Sequence, residues 1–97
     1  MDLVKMCDGE AMKEALLSEI GDEYERACKK FSKFNSRHEG YAVILEELDE
    51  AWDSIKTNQL NAILELEIIQ VGAMCLRFLM DLIYDCSVSK EMDEEDG

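Results

Sequence analysis

Apolar side chains recur every three or four positions through most of this chain, the period of an α-helix lying against a core. The first such run spans roughly Glu10 to Phe34, with Leu16, Leu17, Ile20, Tyr24, Ala27, Cys28, Phe31 and Phe34 on one stripe. Gly21 falls inside it. A glycine costs about 1 kcal/mol relative to alanine in a helix interior, so a break or a frayed first half is expected there. The second run opens sharply. Ser36 followed three residues later by Glu39 has the form of a capping box, with Asn35 as an alternative cap. Tyr41, Ile44, Leu45, Leu48, Ala51, Trp52 and Ile55 then mark a core stripe that runs to about Lys56.

Thr57 and Asn58 break the pattern, and a third helix is predicted from about Leu60 to Asp85 or Cys86. Between Ile68 and Ile83 it is apolar around most of its circumference, the character of a bundle interior or an oligomer interface. Its polar exceptions fall on one line. Glu67, Gln70, Met74, Arg77 and Asp81 follow steps of three and four, and four of the five are polar. Short connections make the second and third helices antiparallel neighbours. Three helices alone would leave much apolar surface in water, so the expected architecture is an all-α, antiparallel helical bundle completed by homo-oligomerisation, as a dimer or tetramer.

Composition narrows this further. Ninety-seven residues make one domain, and the absence of proline with only five glycines favours long helices over many short strands. The expected division is a single all-α domain over 1–90 and an acidic, solvated tail over 91–97. The 23 acidic and 10 basic residues give a net charge of −13. Such a chain repels nucleic-acid backbone and anionic lipid, so neither is an expected partner, and any phosphate ligand would need cations to bridge the repulsion. Cys7, Cys28, Cys75 and Cys86 have no metal-knuckle or CxxC spacing and read as reduced thiols, with Cys75 inside an apolar run. Met1 to Glu10 carries no secretory pattern, and Ile68 to Tyr84 is too short and too interrupted for a membrane span. A soluble, cytoplasmic protein is expected.

The sharpest local feature is Glu46-Glu47-Leu48-Asp49-Glu50. At 100° per residue, Glu47 and Glu50 lie about 60° apart on the edge of the apolar stripe, while Glu46 and Asp49 point further toward solvent. The antiparallel third helix offers Glu67 and Gln70, again three apart. Carboxylates facing one another repel unless a cation sits among them, and magnesium, a hard ion that prefers oxygen ligands, fits that need; manganese can replace it. The plainer reading of an acidic run is a solvated face, but a glutamate on the greasy third helix is harder to explain in that way.

Glu46-Glu47-x-x-Glu50 followed by Glu67-x-x-Gln70 resembles the EExxE…ExxD signature of the MazG-type all-α nucleoside triphosphate pyrophosphohydrolases. The strings HEGYAVILEELDEAWDSIK and LEIIQVGAMCLRFLMD are likewise similar to small MazG-like proteins of phages and bacteria, and the resemblance covers about Glu25 to Asp81. It implies an oligomeric helical bundle that splits nucleoside triphosphates, often deoxy or non-canonical ones, into monophosphate and pyrophosphate with Mg²⁺. It places metal ligation on Glu47, Glu50 and Glu67, with Glu46 as a base or supporting carboxylate. Gln70 stands where the signature has aspartate, supplying an amide oxygen without the charge. Glu46 and Glu50 are both candidates for activating the attacking water.

Substrate contacts are expected from Lys30 and Lys33 in the basic cluster, from His38 and from Arg77; each also has a plainer reading. The lysines make an ordinary solvated face, His38 an exposed first-turn residue, and Arg77 an i,i+4 ion pair with Asp81. Arg77 and Asp81 lie about 15 and 21 Å from Glu67 by helical rise, so neither shares its metal. No glycine-rich phosphate loop, nucleophilic triad or zinc spacing is present. Two other functions fit the same residues: a catalytically degenerate nucleotide- or metal-binding module, and an acidic interaction module whose charge density is itself the function.

Overall fold

A computed structural model describes residues 8–86. Cys7, the end of the expected domain at 90 and the acidic tail over 91–97 lie outside them. The described residues form α1 (Gly9–Lys30), α2 (Arg37–Lys56) and α3 (Asn61–Phe78), with α3 continuing into a π-helical turn over Leu79–Ile83. No strand occurs among them.

Each boundary has a local cause. The Asp8 carboxylate accepts from the Glu10 N–H at 3.0 Å and opens α1. α1 runs through Gly21 without the expected break and stops at Lys30, four residues earlier than the periodicity predicts. Phe34 is nonetheless buried, as the stripe requires, but it reaches the core from a non-helical connection. Ser36 caps α2 by accepting from the Glu39 N–H at 3.1 Å, and Glu39 reaches back to the Asn35 N–H. This is the expected box with its return bond moved one residue outward. At the other end Asn58 takes a left-handed φ of 62°, a conformation asparagine tolerates at helix ends.

α3 is the central element. It packs against α2 on one side and α1 on the other, while α1 and α2 scarcely touch. Contacts of Gly40 with Phe78 and of Ser54 with Glu67 show α2 antiparallel to α3, and those of Glu23 with Gln70 and Phe34 with Asp81 show α1 running with α3. The core consists of Tyr24, Ala27, Cys28, Phe34, Ala73 and Met74, flanked by Val43, Ile44 and Phe78 among others. Cys75 is exposed rather than within it.

α2 departs most from its expected orientation. Its inward row is Gly40, Ile44, Glu47, Ala51 and Ser54, in steps of four and three. Tyr41, Leu45, Leu48, Trp52 and Ile55, expected in the core, lie one residue further around and are exposed. The helix is rotated so that small residues meet α3. The reason is visible at Gly40, where an added Cβ would stand 2.6 Å from a Phe78 ring carbon and 3.1 Å from Leu82. Helices come this close only where one side chain is absent.

Two glycine substitutions should therefore act in opposite directions. Gly40→Ala forces the Phe78 ring to move and is expected to cost about 1–3 kcal/mol. Gly21→Ala meets nothing within 4 Å and removes the helix penalty, so it should stabilise by about 0.5–1 kcal/mol. Urea unfolding midpoints of the two variants against the parent check both signs.

Candidate functional site

Because α1 and α2 diverge on either side of α3, a cavity of about 820 Å³ opens between them. α2 lines it with the row Glu39, Val43, Glu46 and Glu50, one residue around from the inward row, together with Glu47. α1 contributes Glu23, Arg26 and Lys30. The floor is Gln70, Met74 and Arg77 of α3, and the connection over residues 31–35 closes one end. Of the residues singled out from the sequence, Glu46, Glu47, Glu50, Gln70, Lys30, Lys33 and Arg77 are thus brought to one cavity. Glu67 and His38 are not among its lining.

The cavity is charged differently along its length. Around Glu47 it is acidic. Burial first, and then the fields of Glu50, Glu46, Glu23 and Glu67, push the Glu47 carboxyl above the ordinary glutamate range. Gln70 donates its amide to Glu23 at 2.6 Å, and the other oxygen of Glu23 holds Arg26 at 2.7 Å. With its nitrogen committed, Gln70 has its amide oxygen left for a cation. Glu67 instead accepts from Ser54 Oγ. The register explains this: Ser54 is the residue of α2 that meets Glu67, so Glu50 falls nearer Gln70, one turn further along α3, and Glu47 nearer Met74, two turns further.

Toward the 31–36 connection the cavity is cationic. Arg77 is buried, with its guanidinium 4.2 Å from the Phe34 ring centroid and donating to the Ser32 carbonyl at 2.7 Å. The expected Arg77–Asp81 ion pair does not form. Asp81 accepts from the Phe34 N–H at 3.1 Å, so both side chains serve the backbone of the connection. That leaves Arg77 Nε and Asp81 Oδ1 buried without a hydrogen-bond partner among the described residues. Lys33 pairs with Asp85 at 2.5 Å, which raises the lysine above and lowers the aspartate below their ordinary ranges. Among the described residues Lys30 forms no ion pair, and it lies 5.7 Å from the Phe31 ring.

Glu23 and Arg26 were not anticipated. The signal was present: Glu23, Arg26 and Lys30 fall at i, i+3 and i+7, a polar edge beside the buried Tyr24, Ala27 and Cys28.

The donors near Glu47 suit a hard divalent cation, since carboxylate and amide oxygens surround a carboxyl already strained by like charge. Among the described residues, however, no three His, Cys, Asp or Glu side chains are gathered as a metal-holding group. Glu67 is turned to Ser54 and Glu23 to Gln70 and Arg26, so metal binding would draw these side chains away from protein partners. Among the described residues no helix is long and apolar enough to cross a membrane. No protein-family model, curated protein or solved structure matches this chain.

Proposed function

We propose that this protein is a Mg²⁺-dependent nucleoside triphosphate pyrophosphohydrolase, releasing a nucleoside monophosphate and pyrophosphate. The observation that carries the reading is one cavity with clustered carboxylates at Glu46, Glu47 and Glu50 and a cationic end at Arg77 and Lys30. A triphosphate joins the same two requirements: anionic oxygens for the basic groups, and a phosphorus centre for a carboxylate-directed water. The resemblance of EELDE and ELEIIQ to the family signature supports the same chemistry.

In this reading Glu47, Glu50 and the Gln70 amide oxygen would hold Mg²⁺ (or Mn²⁺), with Glu67 joining on release from Ser54. Bound there, the ion would neutralise charge on the phosphates and the leaving pyrophosphate. Lys30 and Arg77 bind the distal phosphates, and Lys33 adds a third cation when it leaves Asp85. Glu46 or Glu50 takes a proton from the water that attacks the α-phosphorus, as the bond from that phosphorus to the bridging oxygen breaks. Val43, Met74 and Phe31 supply apolar wall for the base. His38 has no part in this assignment. Homo-oligomerisation belongs to the reading as the state in which exposed apolar surface is covered, and a cytoplasmic location follows from its substrate.

Pyrophosphate release from a panel of ribo- and deoxynucleoside triphosphates, with and without Mg²⁺, tests the proposal. Metal-dependent release is expected. The committed Gln70–Glu23 bond favours a second reading, a degenerate module that binds nucleotide without turnover; binding by calorimetry with no pyrophosphate from any nucleotide would select it.

Metal affinity should also depend on pH. A proton competes with the cation for Glu47, and its raised pKa means that competition begins at higher pH than for an ordinary glutamate. Mn²⁺ affinity, followed by electron paramagnetic resonance, is expected to fall as pH is lowered and to fall less steeply in Glu47→Gln.

A further inference from the structure

We infer that the acidic segment over 91–96 of this chain docks on the cationic end of its own cavity, where its carboxylates occupy the groups that otherwise meet phosphate. Five of the ten basic residues, Arg26, Lys29, Lys30, Lys33 and Arg37, fall around the connection between α1 and α2. Lys30, Lys33 and the buried Arg77 bring three positive charges to that end of the cavity. Elsewhere the described cations are matched close by: Lys13 pairs with Glu10 and Lys56 with Asp53, each from the same helix. Here the balance differs. Lys29, Lys30, Arg37 and Arg77 meet no carboxylate among the described residues, and Arg77 Nε is buried without a hydrogen-bond partner among them. A chain of net charge −13 thus gathers its unmatched described cations in one region.

Position and charge identify the occupant. The chain leaves α3 at this same end, where Asp85, with a left-handed φ of 55°, already pairs across to Lys33. Glu91 follows six residues later, a stretch that spans at most about 20 Å. Glu91, Asp93, Glu94, Glu95 and Asp96 supply five carboxylates with no base among them. A segment tethered this closely acts at an effective concentration on the order of millimolar, so contacts that are individually weak at a surface can compete with a free anion. Outside residues 26–37 and Arg77, the only described bases are Lys13 and Lys56, against carboxylates on every helix. The rest of the surface therefore repels the segment. Residues 1–7 hold one acid, Asp2, and one base, Lys5, and cannot take its place. Depth is limited too, because Glu39, Glu46 and Glu47 line the cavity beyond the cationic end. The segment sits at the mouth as a carboxylate counterpart of the phosphates and leaves when a triphosphate arrives with its metal. That regulatory consequence rests on the catalytic reading; the docking does not.

Carbodiimide treatment of the full chain, which joins a lysine amine to a carboxylate in direct contact, tests the docking without reference to turnover. Peptide mapping should find Lys29, Lys30 or Lys33 linked to residues 91–96, with the Lys33–Asp85 link as internal control. In a mixture of light- and heavy-isotope chains, each linked pair should carry a single isotope. Pairs of mixed isotope would assign the contact to another copy and overturn the inference. So would the Lys33–Asp85 link appearing without any to residues 91–96. Trace acetylation gives a second measurement. Neutralising the segment (Glu91→Gln, Asp93→Asn, Glu94→Gln, Glu95→Gln and Asp96→Asn together) should speed labelling of Lys30 about threefold or more at low salt, and about 0.5 M salt should remove the difference. Lys13 and Lys56 should label as before. A Lys30 rate that rises no more than that of Lys13 overturns the inference. In the pyrophosphate assay the same variant should lower KM while retaining kcat, and an unchanged KM overturns the competition. Links to residues 91–96 in a chain that turns over no nucleotide would sink the catalytic reading and leave the docking standing.

Discussion

Glu47→Gln is expected to lower Mg²⁺-dependent pyrophosphate release by roughly 100-fold or more, the loss typical of one electrostatic group in an active site, and to raise the thermal midpoint of the metal-free protein. The two effects share one cause. In the absence of metal the Glu47 carboxyl is held above its ordinary range by burial and by four neighbouring carboxylates. A group whose folded pKa exceeds its unfolded value binds its proton more tightly in the native state. Its contribution to stability is therefore greatest below the unfolded pKa and declines as pH rises toward the folded one. At neutral pH the ionised carboxylate is a burden on the fold, and glutamine removes it while retaining the shape. With Mg²⁺ the order should reverse, because a ligand that binds only the native state stabilises it by mass action. Thermal unfolding of parent and variant, each with and without Mg²⁺, gives the four values required. Equal metal-induced shifts in the two proteins would remove Glu47 from the metal site.

Arg77→Ala should destabilise the fold by about 3 kcal/mol. The guanidinium stacks on Phe34 and holds the Ser32 carbonyl. A desolvated cation–π contact is worth about 2 kcal/mol, and a buried acceptor left without its donor costs about 1–3 kcal/mol. Against these stands relief from burying a charge with no carboxylate beside it, which keeps the net value below their sum. Arg77→Met separates the contributions, since it fills the space without charge or hydrogen bond, and should cost about half as much. Denaturant unfolding measures both. Equal losses in the two variants would mean that the guanidinium, not the volume, matters, and no loss in Arg77→Met would mean the reverse.

The number and order of the helices were legible from period and capping alone, because Ser36 and Glu39 act within one turn of chain. So was the grouping of Glu46, Glu47 and Glu50, which one helix carries on adjacent rows. What depends on how two helices approach was less accessible. The outer row of α2 has the apolar period of a core stripe, and only the close approach at Gly40 turns it to solvent. The offset that pairs Glu67 with Ser54 is likewise a property of the helix pair. Arg77 and Asp81 lie one helical turn apart, which suggests an ion pair. The connection after Lys30 claims both instead, because its buried backbone N–H and C=O groups need partners.

That claim has a consequence for synthesis. The connection between α1 and α2 is anchored by residues 45, 47 and 52 positions later in the chain. During translation, Glu23, Lys30, Lys33, Glu46, Glu47, Glu50 and Gln70 all emerge before Arg77, so the buried guanidinium is the last charged group of the cavity to appear. Until Arg77 and Asp81 arrive, the backbone of residues 32–34 has only water for these bonds, and Phe34 lacks the guanidinium that covers it. A nascent chain halted before Arg77 would carry every carboxylate of the cavity without the buried guanidinium that completes its cationic end.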